Sequence, residues 1–258
     1  MDRPWQWLVH GWKDTWRCGA VSLLHGLAVT LFGQVLLLMG HDRFWLLAGA
    51  FSGLLVVAPV VATGLYALSR ALEHHQPTSA RLVLRTWLSW RSHGDSADGK
   101  DWRLVRFGIL LGLAGTGWVL TSAALITLLA PHPVLQPIDF LRYVVLNHDS
   151  SLFELWLALG GVLAAPIFAS CAVSLPLLLD RRIRVLHAVM TSWDSVLCNP
   201  GPMALWAALI IGLTALGGLT GLLGLIVIMP VLGHASWHAY RDLVDASAWP
   251  ERTAPRKD

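Results

Sequence analysis

The feature that most constrains this chain is an almost uninterrupted apolar stretch of 36 residues, from Met203 to His238. A single helix of that length would be about 54 Å long, whereas the hydrocarbon core of a bilayer is about 30 Å thick. Basic residues flank the stretch at both ends, which predicts that both ends lie on the same side of a membrane. The stretch is therefore predicted to cross the membrane twice, with a turn at Gly217–Gly221.

Four earlier stretches are also long and apolar enough to cross a bilayer. They cover about residues 19–40, 44–72, 107–130 and 153–179. The composition agrees, because 55% of the residues are hydrophobic, 14% are charged and the mean hydropathy is +0.57. The sequence predicts an all-α polytopic membrane protein with six transmembrane helices. A net charge of only +3 argues against a nucleic-acid partner and leaves the lipid bilayer as the first partner.

The basic residues predict the orientation of these spans. With six spans, 17 of the 19 lysines and arginines fall on the side that holds both termini, and only Arg43 and Arg142 fall on the other. Loops rich in lysine and arginine stay in the cytoplasm. Both termini are therefore predicted to be cytoplasmic.

Three short segments, each preceding a pair of spans, have the spacing of amphipathic helices. The first segment, Arg3–Arg17, places its apolar residues on one face, namely Trp5, Leu8, Val9, Trp12 and Trp16. Its other face consists of Gln6, His10, Lys13, Asp14 and Arg17. Ala80–Leu88 and Leu186–Leu197 repeat the pattern. Each segment is predicted to be a helix on the cytoplasmic membrane surface.

These parts recur as a surface helix followed by a two-span hairpin, which predicts three internal repeats within one membrane domain, residues 1–258. The repeats cover residues 1–73, 74–180 and 181–245, and residues 246–258 form a polar tail. In each second span a polar residue stands four positions after a proline. We expect these three residues to form a polar layer between the helices: Thr63, Ser170 and His234.

Tryptophans at the predicted membrane boundaries indicate an interfacial belt. The expected anchors are Trp12, Trp87, Trp193 and Trp237, together with Tyr240 and Arg241. Asp180 and Arg181 either pair with Tyr240 and Arg241 across the bundle or merely end a helix.

Three histidines are the candidate ligands for a cofactor. His234 and His238 share one helix face, and His25 is predicted to lie at the same depth as His234, about 10–12 Å below the cytoplasmic surface. Histidine pairs at one depth can hold haem or copper. The alternative is that each ring bonds a carbonyl or hydroxyl group inside the bundle, with no cofactor. Because the chain lacks a zinc-protease motif or any other catalytic constellation, we predict neither an enzyme nor a dedicated metal site.

The carboxy-terminal third resembles a bacterial family of integral membrane proteins of unknown function. The resemblance rests on Leu175–Arg181, on Asn199-Pro200 and above all on Gly233–Asp242, which contains a G-H-x-x-W-H-x-Y-R block. It extends from about the second span to Asp245. Some relatives are labelled as components of cytochrome c oxidase. The resemblance implies the bacterial inner membrane and a connection with respiration, but no activity.

Three functions remain open at this point. The first is a non-catalytic accessory or scaffold protein that binds a membrane partner, such as a respiratory complex, or a second copy of itself. The second is a haem or copper carrier that uses His234 with His25 or His238. The third is a channel or transporter for a small solute, although no Asp, Glu, Lys or Arg lies well inside a span.

Overall fold

The computed structural model describes residues 2–40, 42–89, 103–147 and 151–252. Within those ranges the chain forms twelve α-helices and one π-helical turn, Leu141–Val145, and no β-strand. The helices are α1 Arg3–Cys18, α2 Ala20–Gly40, α3 Phe44–Val61, α4 Thr63–Glu73, α5 Ala80–Ser89, α6 Arg103–Leu129, α7 Pro137–Phe140, α8 Leu152–Cys171, α9 Ser174–Asp180, α10 Val185–Cys198, α11 Pro200–Leu219 and α12 Leu225–Leu243. Residues 253–258 of the predicted polar tail lie outside the described residues.

Four helical segments in the described part of the chain have the length and hydropathy needed to cross a membrane. They are Ala20–Gly40, Arg106–Leu129, Leu152–Asp180 and Pro200–Leu219. Each coincides with a predicted span, so the all-α membrane architecture is confirmed at the level of four candidate spans. The remaining two predicted spans fall on α3–α4 and on α12.

Of the three predicted second spans, which contain Pro59, Pro166 and Pro230, two are interrupted shortly after the proline. The helix containing Pro59 ends at Val61 and α4 follows, while the helix containing Pro166 ends at Cys171 and α9 follows. Proline removes a backbone donor and disturbs the turn around it, which favours such breaks. α12 instead continues through Pro230 to Leu243.

The turn between the last two long helices lies at residues 220–224, later than predicted. Gly217 remains helical because it packs against Leu225, and a Cβ atom there would collide with that side chain. Gly221 has a φ of +63°, a left-handed conformation that glycine adopts without strain.

The chain divides into two compact units. The first unit consists of Met1–Thr30, Pro59–Phe107 and Phe168–Asp258. Within it, α4, α9 and α12 contact one another in pairs. Each of these inner helices also packs against a short helix: α4 against α5, α9 against α10, and α12 against α1. The contact between α1 and α12 joins the two ends of the described chain.

α1 turns its small and polar residues toward α12. Gly11 lies so close that a Cβ atom there would be 2.5 Å from the carbonyl oxygen of Val231 and 2.7 Å from the backbone nitrogen of Ala235. Asp14 lies opposite the tryptophans, as predicted, but it is only 5% exposed, so this part of the polar face is buried against protein. α1 thus exposes its tryptophan-rich face and buries its Gly11–Asp14 face inside the protein.

The other two short helices are oriented in the same way. Thr86 of α5 and Ser192 of α10 are buried, whereas the tryptophan that follows each of them is exposed. Gly11 and Trp12 of α1 form the same pair. Trp12, Trp87 and Trp193 expose 50%, 40% and 37% of their surface, as residues facing a membrane interface would.

The second unit consists of Leu31–Ala58 and Gly108–Ile167. Its buried core is apolar and formed by Ile126, Val134, Val144 and Leu152. Aromatic rings surround this core, and the ring of Phe44 stacks on Phe140 with their centroids 5.1 Å apart. Leu38, Leu128 and Val162 are among its most exposed side chains, which suits contact with lipid.

Candidate functional site

The candidate site is a buried polar network in the first unit, centred on His234 of α12. The His234 side chain is fully buried, and both of its ring nitrogens bond hydroxyl groups from other helices. Nδ1 lies 2.7 Å from Oγ of Ser69 on α4, and Nε2 lies 2.8 Å from Oγ of Ser22 on α2. His234 therefore links three helices.

The partners of Ser69 determine the direction of these hydrogen bonds. Ser69 Oγ donates to Oδ2 of Asp14 at 2.8 Å, so the same oxygen must accept the bond from Nδ1–H of His234. Nε2 of neutral His234 then accepts a hydrogen bond from Ser22. His238 Nε2 lies 2.8 Å from Oδ2 of Asp14 and donates to it. We call Ser22, His234, Ser69, Asp14 and His238 the His234 cluster.

Asp14 is the charged end of this cluster. Burial raises the pKa of Asp14, but the hydrogen bonds from His238 and Ser69 lower it more, so the net pKa lies below its ordinary value of 3.8. The carboxylate is therefore ionised at neutral pH. Through Ser69 it holds His234 in the tautomer with the proton on Nδ1.

A second buried carboxylate, Asp180 at the end of α9, collects donors from two other helices, α4 and α12, and from the residue that follows it. Its side chain is 3% exposed. Arg70 Nε donates to Oδ1 at 2.7 Å, and Tyr240 Oη donates to Oδ2 at 2.7 Å. Arg181 Nε adds a 3.0 Å bond to Oδ2. We call Asp180, Arg70, Tyr240 and Arg181 the Asp180 cluster.

Glu73, the last residue of α4, connects the same region to α12. Its carboxylate forms a 2.8 Å ion pair with Arg241 and accepts a 3.1 Å hydrogen bond from Nε1 of Trp237. Arg241 also lies 4.0 Å from Asp180. The alternative that Asp180 pairs with Tyr240 and Arg241 across the bundle is thus confirmed. The structure also shows that Arg70 binds Asp180 and that Glu73 binds Arg241.

His25 on α2 has a different environment. Its Nδ1 lies 2.9 Å from the carbonyl oxygen of Val21, and because a carbonyl only accepts, Nδ1 carries the proton. Its Nε2 is buried and has no hydrogen-bond partner among the described residues. Gly64 and Trp87 line this nitrogen, and a Cβ atom on Gly64 would lie 2.7 Å from it.

The residues of the predicted polar layer have separate partners. Ser170 Oγ accepts a 3.0 Å hydrogen bond from Nε1 of Trp193, whereas His234 bonds Ser22 and Ser69. Thr63 is buried at the start of α4. A layer in which Thr63, Ser170 and His234 act together stays a prediction.

The predicted interfacial anchors fall into two groups. Trp12, Trp87 and Trp193 are exposed, as the prediction requires. Trp237 and Tyr240 are 1% and 0% exposed, and Arg241 is bound to Glu73. The rings of Trp237 and Tyr240 contact protein, and their polar atoms bond the carboxylates of Glu73 and of the buried Asp180.

Sequence reasoning missed Ser22, Ser69 and Asp14. Serine in an apolar helix gives no signal of its own, since its hydroxyl can bond its own helix. For Asp14 a signal existed: Gly11, Asp14, Thr15 and Cys18 form a stripe of small or polar residues at helical spacing, a pattern that suits close packing. Among the described residues no group of three or more His, Cys, Asp or Glu side chains is arranged to hold a metal ion.

Comparison with known proteins identifies a matching family. The model of a family described as predicted integral membrane proteins (DUF2189) matches residues 46–180, more than half of the chain. The matched range begins near the start of α3 and ends at Asp180, so the Gly233–Asp242 block lies beyond it. No curated protein and no solved structure matches the chain.

Proposed function

Because the chain belongs to this family of integral membrane proteins, we propose that it is a six-span accessory or scaffold protein of the bacterial inner membrane, without catalytic activity of its own. Both termini lie in the cytoplasm, as the 17-to-2 distribution of basic residues favours. Its partner is another membrane protein. A respiratory complex is the class of partner that the resemblance implies.

Three repeats, each a surface helix followed by a hairpin, form the scaffold. The helix contacts support this arrangement. The inner helices α4 and α9 each pack against the short helix that opens the next repeat, α5 and α10, and α12 packs against α1 of the first repeat. The orientation of the short helices supports it as well. A small buried residue precedes an exposed tryptophan in all three, at Gly11, Thr86 and Ser192.

One observation carries the non-catalytic role: the polar groups of the His234 and Asp180 clusters bind one another and leave little capacity for a substrate. Both ring nitrogens of His234 are engaged, and Asp14 Oδ2 accepts two hydrogen bonds. Both oxygens of Asp180 are engaged as well. Buried polar groups satisfied in this way hold helices in a defined arrangement. The exposed apolar faces then remain for lipid and for a partner.

The test is recovery of the partner. The tagged protein is solubilised in mild detergent, purified in one step and analysed by native mass spectrometry. We expect a second membrane protein to be recovered in fixed stoichiometry. If Asp180→Asn loses this partner and Asp194→Asn, a variant at an exposed position, keeps it, binding of the partner requires the folded scaffold. A monomer without partner or cofactor would contradict the proposal.

A haem or copper carrier is the second candidate, and His25 is the observation that favours it. Its Nδ1 proton is held by a carbonyl and its Nε2 lone pair is unpartnered in the described structure, which is the arrangement of a metal-binding imidazole. His234 would have to release Ser22 before its own Nε2 could bind a metal. His238 would have to release Asp14.

The carrier is tested by the reduced-minus-oxidised visible spectrum of the purified protein, together with metal analysis for copper. Haem would give a Soret band and an α-band that disappear in His25→Ala and persist in His187→Ala, a variant of a histidine exposed on α10. A flat spectrum without copper would exclude the carrier.

A further inference from the structure

A cavity of about 290 Å³ lies beside the His234 cluster, between α1, α4 and α12. Asp14 and Ser69 line it, and so does His238. Arg17, Glu73 and Arg241 contribute charged side chains to the same cavity. Its volume suits a small polar group rather than a large organic ligand, since pockets for drug-sized ligands begin at about 300 Å³.

The acidic residues of the cavity are already bound by protein donors. Asp14 accepts hydrogen bonds from Ser69 and His238, and Glu73 accepts an ion pair from Arg241 and a hydrogen bond from Trp237. A cation would have to displace these contacts. The carboxylates therefore do not make this a cation site.

The basic side of the cavity retains donors. Arg17 has no ion pair or side-chain hydrogen bond with any residue in the described part of the chain. Arg241 faces the same cavity and uses one terminal nitrogen, Nη2, for its 2.8 Å bond to Glu73, while Nη1 stays 4.0 Å from Asp180. A guanidinium group presents five N–H donors, so both arginines have donors left for a ligand.

We propose that this cavity binds a phosphate group between the guanidinium groups of Arg17 and Arg241. Arginine is well suited to phosphate, because its planar donors match two oxygens at once. Asp14 and Glu73, each held by protein donors, then orient His238 and Arg241 and set the width of the cavity. The proposal is independent of the scaffold function.

The position of Arg17 along the chain indicates where such a phosphate would come from. Arg17 stands three residues before Ala20, where the first candidate span begins. Trp12 and Trp16, exposed on the other face of α1, are suited to the headgroup region of a bilayer. A phospholipid headgroup and a soluble phosphate compound could both reach a cavity at this level. The experiment has to separate these two sources.

The test is calorimetric titration of the purified full chain in detergent with three probes. They are dihexanoyl-phosphatidylglycerol, dihexanoylglycerol, which lacks the phosphate, and inorganic phosphate. Arg17→Gln is the test variant, and Lys13→Gln is the matched control, because Lys13 is an exposed cation on the same helix outside the cavity. We expect Arg17→Gln to weaken binding about tenfold, as loss of a charged hydrogen bond does, and Lys13→Gln to change it less than about twofold.

The outcomes are distinct. Binding of the phosphatidylglycerol probe but not of dihexanoylglycerol, sensitive to Arg17→Gln, identifies a lipid headgroup site. Arg17-dependent binding of inorganic phosphate identifies a soluble ligand. Equal binding of the two lipid probes, equal effects of the two substitutions, or no binding of any phosphate probe would overturn the proposal. A melting temperature of Arg17→Gln close to that of the unaltered protein excludes misfolding as the cause.

Discussion

The two buried clusters of the first unit hold helices together in different ways. The Asp180 cluster brings one carboxylate, two guanidinium groups and a phenol into direct contact. The His234 cluster contains one carboxylate too, but it reaches His234 only through the hydroxyl of Ser69. The first is a charge surrounded by donors, and the second is a chain of single hydrogen bonds.

The two clusters therefore depend on different properties of their side chains for stability. A buried carboxylate beside two arginines depends on charge balance, because removing the negative charge leaves two cations close together. A chain of hydrogen bonds depends on direction, because each hydroxyl must accept from one neighbour and donate to the next. Charge-neutralising substitutions should therefore damage the Asp180 cluster most, and removal of serine hydroxyl groups should damage only the His234 cluster.

The largest effect is expected for Asp180→Asn. The substitution keeps the shape of the side chain but removes the charge that balances Arg70 and Arg181, which should lower the free energy of unfolding by about 3–5 kcal/mol. Denaturant titration in mixed detergent micelles measures the change. Asp242→Asn is the control, because its pair with Arg3 is 40% exposed on both sides and should contribute about 1 kcal/mol or less. Equal losses in the two variants would contradict the assigned role of Asp180.

Asp14→Asn should have a smaller, pH-dependent effect of about 2 kcal/mol at neutral pH, because two hydrogen bonds lose their charged acceptor. The pKa of Asp14 is lower in the folded protein than its ordinary value of 3.8, so the carboxylate contributes its stabilisation above that value. The contribution is lost as the pH falls through the folded pKa.

Unfolding titrations of both proteins at several pH values check this prediction. The stability difference between the unaltered protein and Asp14→Asn should shrink as the pH falls below the ordinary pKa of 3.8. Asp194→Asn, at an exposed position on α10, should show no such difference. A difference that grows on acidification would mean that Asp14 is not held as a carboxylate.

The smallest effects separate the two serines of the His234 cluster. Ser69→Ala leaves the Nδ1–H group of His234 without an acceptor and should cost about 2 kcal/mol, whereas Ser22→Ala removes a single donor and should cost about 1 kcal/mol. Thr191→Ala is the control, since that hydroxyl bonds the carbonyl of His187 on its own helix. Amide hydrogen exchange of α12 reports the loosening. A larger loss in Ser22→Ala would reverse the assigned tautomer of His234.

Much of the helical architecture could be predicted, because hydropathy is a property of contiguous residues. The predicted span 19–40 is the helix Ala20–Gly40, and 107–130 corresponds to Arg106–Leu129. The breaks after Pro59 and Pro166 were not predicted, because a proline in an apolar helix produces either a kink or an interruption, depending on its neighbours. The late turn at 220–224 likewise depends on the packing of Gly217 against Leu225.

The candidate site could be predicted only in part. His234 and Asp180 stood out because a polar residue in or beside an apolar run is unusual. Their partners did not, since Ser69 is separated from His234 by 165 positions and Arg70 from Asp180 by 110. A pattern along one segment carries no information about which distant helix packs against it.

The sequence by itself determined that this is an integral membrane protein of apolar helices, because each span is encoded within a continuous segment that must satisfy its own backbone in lipid. Tertiary structure alone decided that Asp14 points inward and that Ser69 orients His234. It also decided that α1 packs against α12 through Gly11. These features depend on contacts between segments far apart in the chain, and a buried polar group is stable only where such a contact provides its partner.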